Sequence, residues 1–131
     1  MALVASGSAQ ANQTISNADL SERVQTSDEW IRTRTGIQSR RVSTPDESLN
    51  DLAIRAGAKA LEMAHWEPDT LDMVLLATST PDDLFGSAPR VQAGLKAHNA
   101  VAFDLTAACS GFLFALVTAA QYLRTGAMQR V

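Results

Sequence analysis

A single cysteine, Cys109, stands among 131 residues, so no disulfide can form within the chain and a disulfide-stapled scaffold is excluded. Metal clusters built on paired cysteines go with it. The only histidines, His65 and His98, lie far apart, which argues against a histidine-based site; no metal is expected. No apolar stretch reaches the roughly 18 residues of a membrane span. The nearest, residues 107–123, is interrupted by Ser110, Thr118 and Gln121. No lysine or arginine precedes Arg23, so the charged start of a secretory signal is missing. Eleven basic side chains against 14 acidic ones leave a net charge of −3, without the basic excess of a general nucleic-acid binder. The expectation is a soluble, cytoplasmic protein with neither nucleic acid nor membrane as partner.

What the sequence does hold is a core. Apolar residues make up 46% and charged residues 19%, a balance suited to one packed domain. No repeat, low-complexity tract or linker divides it. Charge is uneven: five arginines (Arg23, Arg32, Arg34, Arg40, Arg41) face only Asp28 and Glu29 between residues 23 and 41. Residues 42–72 carry seven acids against Arg55 and Lys59. Such windows read as solvated faces, or the arginine-rich one meets an anionic partner.

Residues 2–5 are a candidate first strand. Asn17 reads as the cap of a short helix with Leu20 and Val24 on one face. Ser27 caps another, with Asp28 and Glu29 in its first turn and Gly36 as its end. Ser48 to Asp51 resembles a capping box, opening a helix whose apolar face includes Leu52, Ala56, Ala60 and Met63 and which stops near His65 or Trp66. Met73 to Ala77 is continuously apolar, as a strand buried on both faces would be. Ser87 and Pro89 start a helix carrying Val91 and Leu95. A second buried strand is expected at Ala100 to Phe103, and a long helix from about Cys109 to Leu123, closed by Gly126. Strands alternating with helices predict an α/β fold with a largely parallel sheet. Phe112 to Val117 is apolar on every side, so that last helix needs cover from other elements.

Residues 103–112, Phe-Asp-Leu-Thr-Ala-Ala-Cys-Ser-Gly-Phe, run a buried strand into small residues, then a cysteine at a helix start. That pattern is a nucleophile elbow, with the N-terminal end of the helix favouring negative charge on the sulfur and on an oxyanion beside it. A lone cysteine is equally a small buried apolar side chain. Trp30 and Arg34, four apart, share a helix face. They form either an ordinary packing pair or an indole–guanidinium platform for a purine ring, with Arg34 within reach of phosphate.

The segment Thr106 to Phe112 resembles the active-site segment of the β-ketoacyl-acyl carrier protein synthase III family. Thr26 to Ile37, Leu75 to Asp82 and Ala102 to Asp104 resemble further blocks of that family in matching order. The resemblance implies the incomplete N-terminal half of a thiolase-like (αβαβα layered) fold over residues 1–131, with the later strands and the C-terminal half absent. It implies Cys109 as the acyl-accepting nucleophile, Trp30, Arg34 and Thr26 along a coenzyme A channel, and Phe85 as an acyl-pocket wall at a dimer interface. It implies acetyl-CoA and malonyl-acyl carrier protein as partners in a homodimeric enzyme, with no cofactor beyond acetyl-CoA as substrate. The family's catalytic histidine and asparagine have no counterpart here; His65 and His98 read as a helix-end residue and a loop residue. A related polyketide or quinolone-type synthase, and a catalytically silent piece that acts only by pairing, remain as alternatives. Two positions depart from the family pattern. Ala9-Gln10 stands where many relatives have a proline, and Lys96 where a glycine is common.

Overall fold

The computed structural model describes residues 1–131, whose contacts fall into two units: Gln10–Ser48, and Met1–Ala9 together with Leu49–Val131. In the first unit β1 (Gln13–Ser16) pairs antiparallel with β2 (Ser39–Val42), Gln13 opposite Val42 and Ser16 opposite Ser39. The sequence carries little sign of these strands, because only Ile15 and Val42 are large and apolar and only Ile15 is buried. Between them lie α1 (Asn17–Ser21) and α2 (Asp28–Thr35).

Asn17 is not the cap of α1. Ser16 takes that place: its hydroxyl accepts the Asp19 N–H, and the Asp19 carboxylate accepts the Ser16 N–H at 2.8 Å. The hydroxyl bond, then the backbone one, holds the Asp19 carboxyl below its ordinary range. Asn17 instead sits at 1% exposure and uses its whole amide. It donates to Asp28 Oδ1 and to the Ile37 carbonyl, both at 2.8 Å, and accepts from Arg40 at 2.6 Å. A buried amide satisfied on both ends ties α1, α2 and β2 together without a large apolar core. The helix stops at Ser21, leaving Val24 beyond it and half exposed. The start and end of α2 are as the sequence predicts. The Ser27 hydroxyl accepts the Trp30 N–H at 3.1 Å, and Gly36 closes the helix at φ 73°, where a side chain would be strained.

The second unit is built on apolar burial. It contains α3 (Leu49–Ala64), β3 (Met73–Ala77), α4 (Ala88–Leu95), β4 (Val101–Leu105) and α5 (Gly111–Arg124). Short 3-10 turns occupy Pro68–Thr70 and Ala108–Ser110. β3 and β4 run parallel, Met73 beside Val101 and Ala77 beside Leu105, with α4 as the crossover. The period-two alternation of β3 sorts its side chains. Val74 and Leu76 pack with Leu71, Val91, Leu95 and Ala97 in the core shared with α3 and α4. Ala77 faces α5, whose first residue, Gly111, comes so close that a Cβ there would lie 3.3 Å from the Ala77 Cβ.

Residues 2–5 form no strand, contrary to expectation. The segment has no strand neighbour and is anchored against α3 instead. Gly7 meets the α3 backbone so closely that a Cβ would collide with Ala56, and Lys59 Nζ donates to the Ser8 carbonyl at 2.9 Å. Two boundaries also shift. The second strand extends to Leu105 and, against expectation, is not buried, since Val101 and Phe103 stay exposed on it; the last helix begins at Gly111, because residues 108–110 form a tighter turn. As its sequence demands, α5 has more apolar surface than this unit covers: Phe112, Leu113, Phe114 and Val117 are all more than half exposed. Beside it a groove of about 910 Å³ is lined by residues 1–5, β3, the α5 side chains Phe112, Leu116 and Leu123, and the tail around Met128.

Candidate active site

Two parallel strands give this unit distinct ends. The segments leaving β3 and β4 emerge at their carboxyl ends, which is where open α/β sheets place their chemistry. Thr78 to Ser87 follows β3, and Thr106 to Ser110 follows β4. The two exits are stitched together: the Thr78 N–H donates to the Leu105 carbonyl at 3.1 Å, and the Thr106 hydroxyl to the Thr78 carbonyl at 2.9 Å.

Cys109 lies in the 3-10 turn immediately before α5 and is exposed. The turn is tight. Ala107 sits at φ −150°, ψ 38°, and Ala108 at φ 44°, the left-handed region that costs an L-residue roughly 1–2 kcal/mol. The strained residue sits between a strand before it and a helix after it, directly ahead of the exposed Cys109. Alanine sets Cys109 up without adding bulk, and nothing in a single sequence would have revealed the positive φ. The N-cap of α5 is Ser110, and its side chain makes no cap bond to the helix.

Leu84 and Phe85 ride the segment after β3 at 92% and 90% exposure, unusual for large apolar side chains. Phe85 therefore stands at the same end of the strands as Cys109. The segment is held by Asp104, a carboxylate inside an otherwise apolar strand. Its Oδ2 accepts the Ser87 N–H at 2.8 Å and its Oδ1 the Ala88 N–H at 2.6 Å. A charge in the middle of a buried-strand pattern is the signal that could have singled it out, since such a group must find partners.

Neither histidine is at this end. His65 follows α3 and precedes β3; His98 precedes β4, so both belong to the amino ends of the strands. The His98 ring and backbone N–H both engage Asp69 Oδ1 at 2.9 Å, and the ring contact first, then the backbone bond, lowers the Asp69 carboxyl. No group of three metal-ligating side chains is gathered anywhere.

In the other unit, the Arg34 guanidinium lies over the Trp30 ring, 4.6 Å from its centroid, with Trp30 53% exposed. Thr26 is half-buried and lines a shallow depression with Gln25, Ser27 and Trp30. The arginine-rich stretch is only partly free for a ligand. Arg40 and Arg41 donate to the carbonyls of Ile15 and Asn12, and Arg32 pairs with Asp28 at 3.6 Å. Arg34 is the one stacked on an open aromatic face.

The family described as 3-oxoacyl-[acyl-carrier-protein (ACP)] synthase III matches residues 103–131, the β4–turn–α5 segment around Cys109. A β-ketoacyl-[acyl-carrier-protein] synthase III of Synechococcus sp. (strain WH7803) is 76% identical over 128 residues, 98% of this chain. By sequence and fold, the chain belongs to the β-ketoacyl-[acyl-carrier-protein] synthase III family. The crystal structure of the 3-oxoacyl-[acyl-carrier-protein] synthase III of Aquifex aeolicus superposes on 95% of the chain at 42% identity, with a TM-score of 0.91. A priming β-ketosynthase of a polyketide biosynthetic pathway superposes on 96% at 35% identity, also at 0.91. The fold is accordingly thiolase-like, and incomplete: the chain spans 38% of the Synechococcus synthase and 41% of the Aquifex one. No helix is long and apolar enough to cross a membrane.

Proposed function

We propose that this sequence forms part of an enzyme that condenses acetyl-CoA with malonyl-acyl carrier protein to acetoacetyl-acyl carrier protein, releasing coenzyme A and CO₂. The observation that carries the reading is the exposed Cys109 on its strained strand-to-helix turn, at an uncapped helix N-terminus. The cysteine sulfur gives up its proton and attacks the thioester carbonyl. The bond to the coenzyme A sulfur breaks, and that sulfur leaves as the thiol, with the oxyanion formed on the way facing backbone N–H groups of the turn. Malonyl-acyl carrier protein then loses CO₂, and the resulting carbanion attacks the acetyl carbonyl; the bond to the Cys109 sulfur breaks, and the thiolate takes up a proton from solvent to restore the thiol.

Each remaining residue has a part in this scheme. Trp30 and Arg34 stack and charge-pair the nucleotide of coenzyme A, with Thr26 beside them. Phe85 walls the acyl site across the interface of a homodimer, which fits an aromatic ring left almost wholly exposed. Decarboxylation falls to a histidine and an asparagine outside these 131 residues, since His65 and His98 lie at the opposite strand ends. The chain on its own would therefore accept an acetyl group at most. The chemistry uses coenzyme A only as substrate and calls for no resident cofactor, and the setting is cytoplasmic. The similarity to the priming β-ketosynthase favours one rival, a thiolase-like synthase making a polyketide-type product.

The test is acylation of the complete protein. Acetyl-CoA should add one acetyl group at Cys109 and protect it from iodoacetamide, and Cys109→Ala should abolish both effects. Trp30→Ala should weaken use of acetyl-CoA by about 1–3 kcal/mol while sparing a short thioester that lacks the nucleotide. Product analysis separates acetoacetyl-acyl carrier protein from a polyketide-type product. A Cys109 that no thioester protects would leave only a silent pairing partner.

A further inference from the structure

Little apolar packing holds α2, although it carries Trp30 and Arg34: Ile31 is its only buried residue. Its orientation is set instead by one amide from outside the helix. The Asn17 side-chain nitrogen donates at 2.8 Å to Asp28 Oδ1, on the first residue of α2. The same nitrogen donates at 2.8 Å to the carbonyl of Ile37, just past the Gly36 cap. Both ends of the helix are therefore fastened to a single atom.

That atom is itself fixed. The Asn17 side-chain oxygen accepts from Arg40 Nη2, and Arg40 Nη1 donates to the Ile15 carbonyl on β1. The Asn17 backbone N–H donates to the Gln38 carbonyl at 3.2 Å, and its own carbonyl accepts the Ser21 hydroxyl at 2.8 Å. Every polar group of the residue is engaged, so it cannot shift without leaving a buried donor or acceptor unpaired. Asp28 divides its oxygens: Oδ1 takes the amide, and Oδ2 faces Arg32 at 3.6 Å. Trp30 and Arg34 are left stacked on the open side of the helix.

We propose that Asn17 is a positioning residue that fixes the axis of α2, and so holds the Trp30–Arg34 face ready for the nucleotide end of coenzyme A. The inference rests on the reading of that face as the nucleotide grip, and deepens it from the residues that touch the ligand to the one that orders them. A platform already in its bound geometry spends none of the ligand's binding energy on ordering itself.

The measurement is Cys109 acylation of the complete protein, by mass spectrometry, with acetyl-CoA and with a short acetyl thioester that lacks the nucleotide. In Asn17→Ala the acetyl-CoA concentration that half-saturates the rate should rise about tenfold at an unchanged limiting rate, within what loss of a whole stacking platform would cost. The short thioester should react as in wild type. A merely structural role would lower both reactions alike, through the fraction folded. Asp28→Ala, which cuts only the first of the two ties, should raise half-saturation a few-fold and supplies the answer if Asn17→Ala does not fold. Asp28→Asn loses the charge, and with it the Arg32 pair, as Asp28→Ala does. It keeps an amide oxygen for Asn17, however, and should return to the wild-type value. Equal loss with both thioesters in a folded Asn17→Ala, or an Asp28→Asn no better than Asp28→Ala, overturns the proposal. A Trp30→Ala that slows both thioesters equally overturns the nucleotide reading first, and this inference with it.

Discussion

The two units reach order by different physics. In residues 10–48 the central residue is polar: Asn17, completely buried, joins Asp28, Ile37 and Arg40 through one amide, and Arg40 and Arg41 reach back to strand carbonyls. In the β3–α4–β4 unit the corresponding role falls to Met73, Val91 and Leu95, with Ala88 and Ala97 wholly enclosed. An apolar core tolerates any well-packed neighbour of the right volume, whereas a satisfied polar centre depends on each partner. The first unit also carries the Trp30–Arg34 platform, and the second the thiol. The proposed nucleotide grip thus rests on hydrogen-bond geometry, and the proposed chemistry on packed strands.

Removing the centre of each unit sharpens that contrast. Leu95→Ala deletes a side chain in the α3–α4 core, where its methyls also approach Gly57, and should cost about 3 kcal/mol in urea unfolding. Asn17→Ala should cost about 2 kcal/mol, because Asp28, the Ile37 carbonyl and Arg40 lose their partner rather than merely their packing. Amide exchange should rise mainly within residues 10–48 for Asn17→Ala and around α3, β3 and β4 for Leu95→Ala. Equal acceleration of both units by either change would break the comparison.

A gentler change points the other way. Lys96 closes α4 at φ 62°, a conformation glycine adopts freely, so Lys96→Gly should raise stability by up to about 1 kcal/mol. A thermal midpoint that fell would show that the lysine side chain contributes more than its backbone costs. The smallest effect belongs to acid. The Asp72 carboxyl is held below its ordinary range by the backbone N–H of Gln129, then by that of Arg130, which fastens the tail after α5 to the start of β3. A depressed folded value means that its contribution is complete above the ordinary carboxylate range and fades as pH falls through the folded value. The amide resonances of Gln129 and Arg130 should move together in that acidic window, ahead of those in β3. In Asp72→Asn this joint movement should vanish.

By itself, the sequence determined most of the second unit. Met73 to Ala77, the Ser87-Pro89 start, the all-apolar helix after Cys109 and the elbow at the cysteine are local patterns, with burial and periodicity written into neighbouring residues. Ser27 and Gly36 were equally legible, because a cap bonds to residues three or four away. Only the tertiary structure decided the rest. Residues 2–5 look like a strand, but a strand needs a partner, and here α3 holds the segment instead. Asn17 looks like a cap, but its amide is spent on residues 11 to 23 positions away. Asp104 and Asp82 look like isolated charges until the helix starts they support are brought beside them, 16 to 33 residues along the chain. The positive φ of Ala108 is likewise set by the strand and helix on either side of it. A hydrogen bond between distant residues leaves no period in the sequence, because its partners are chosen by the path of the backbone rather than by their spacing.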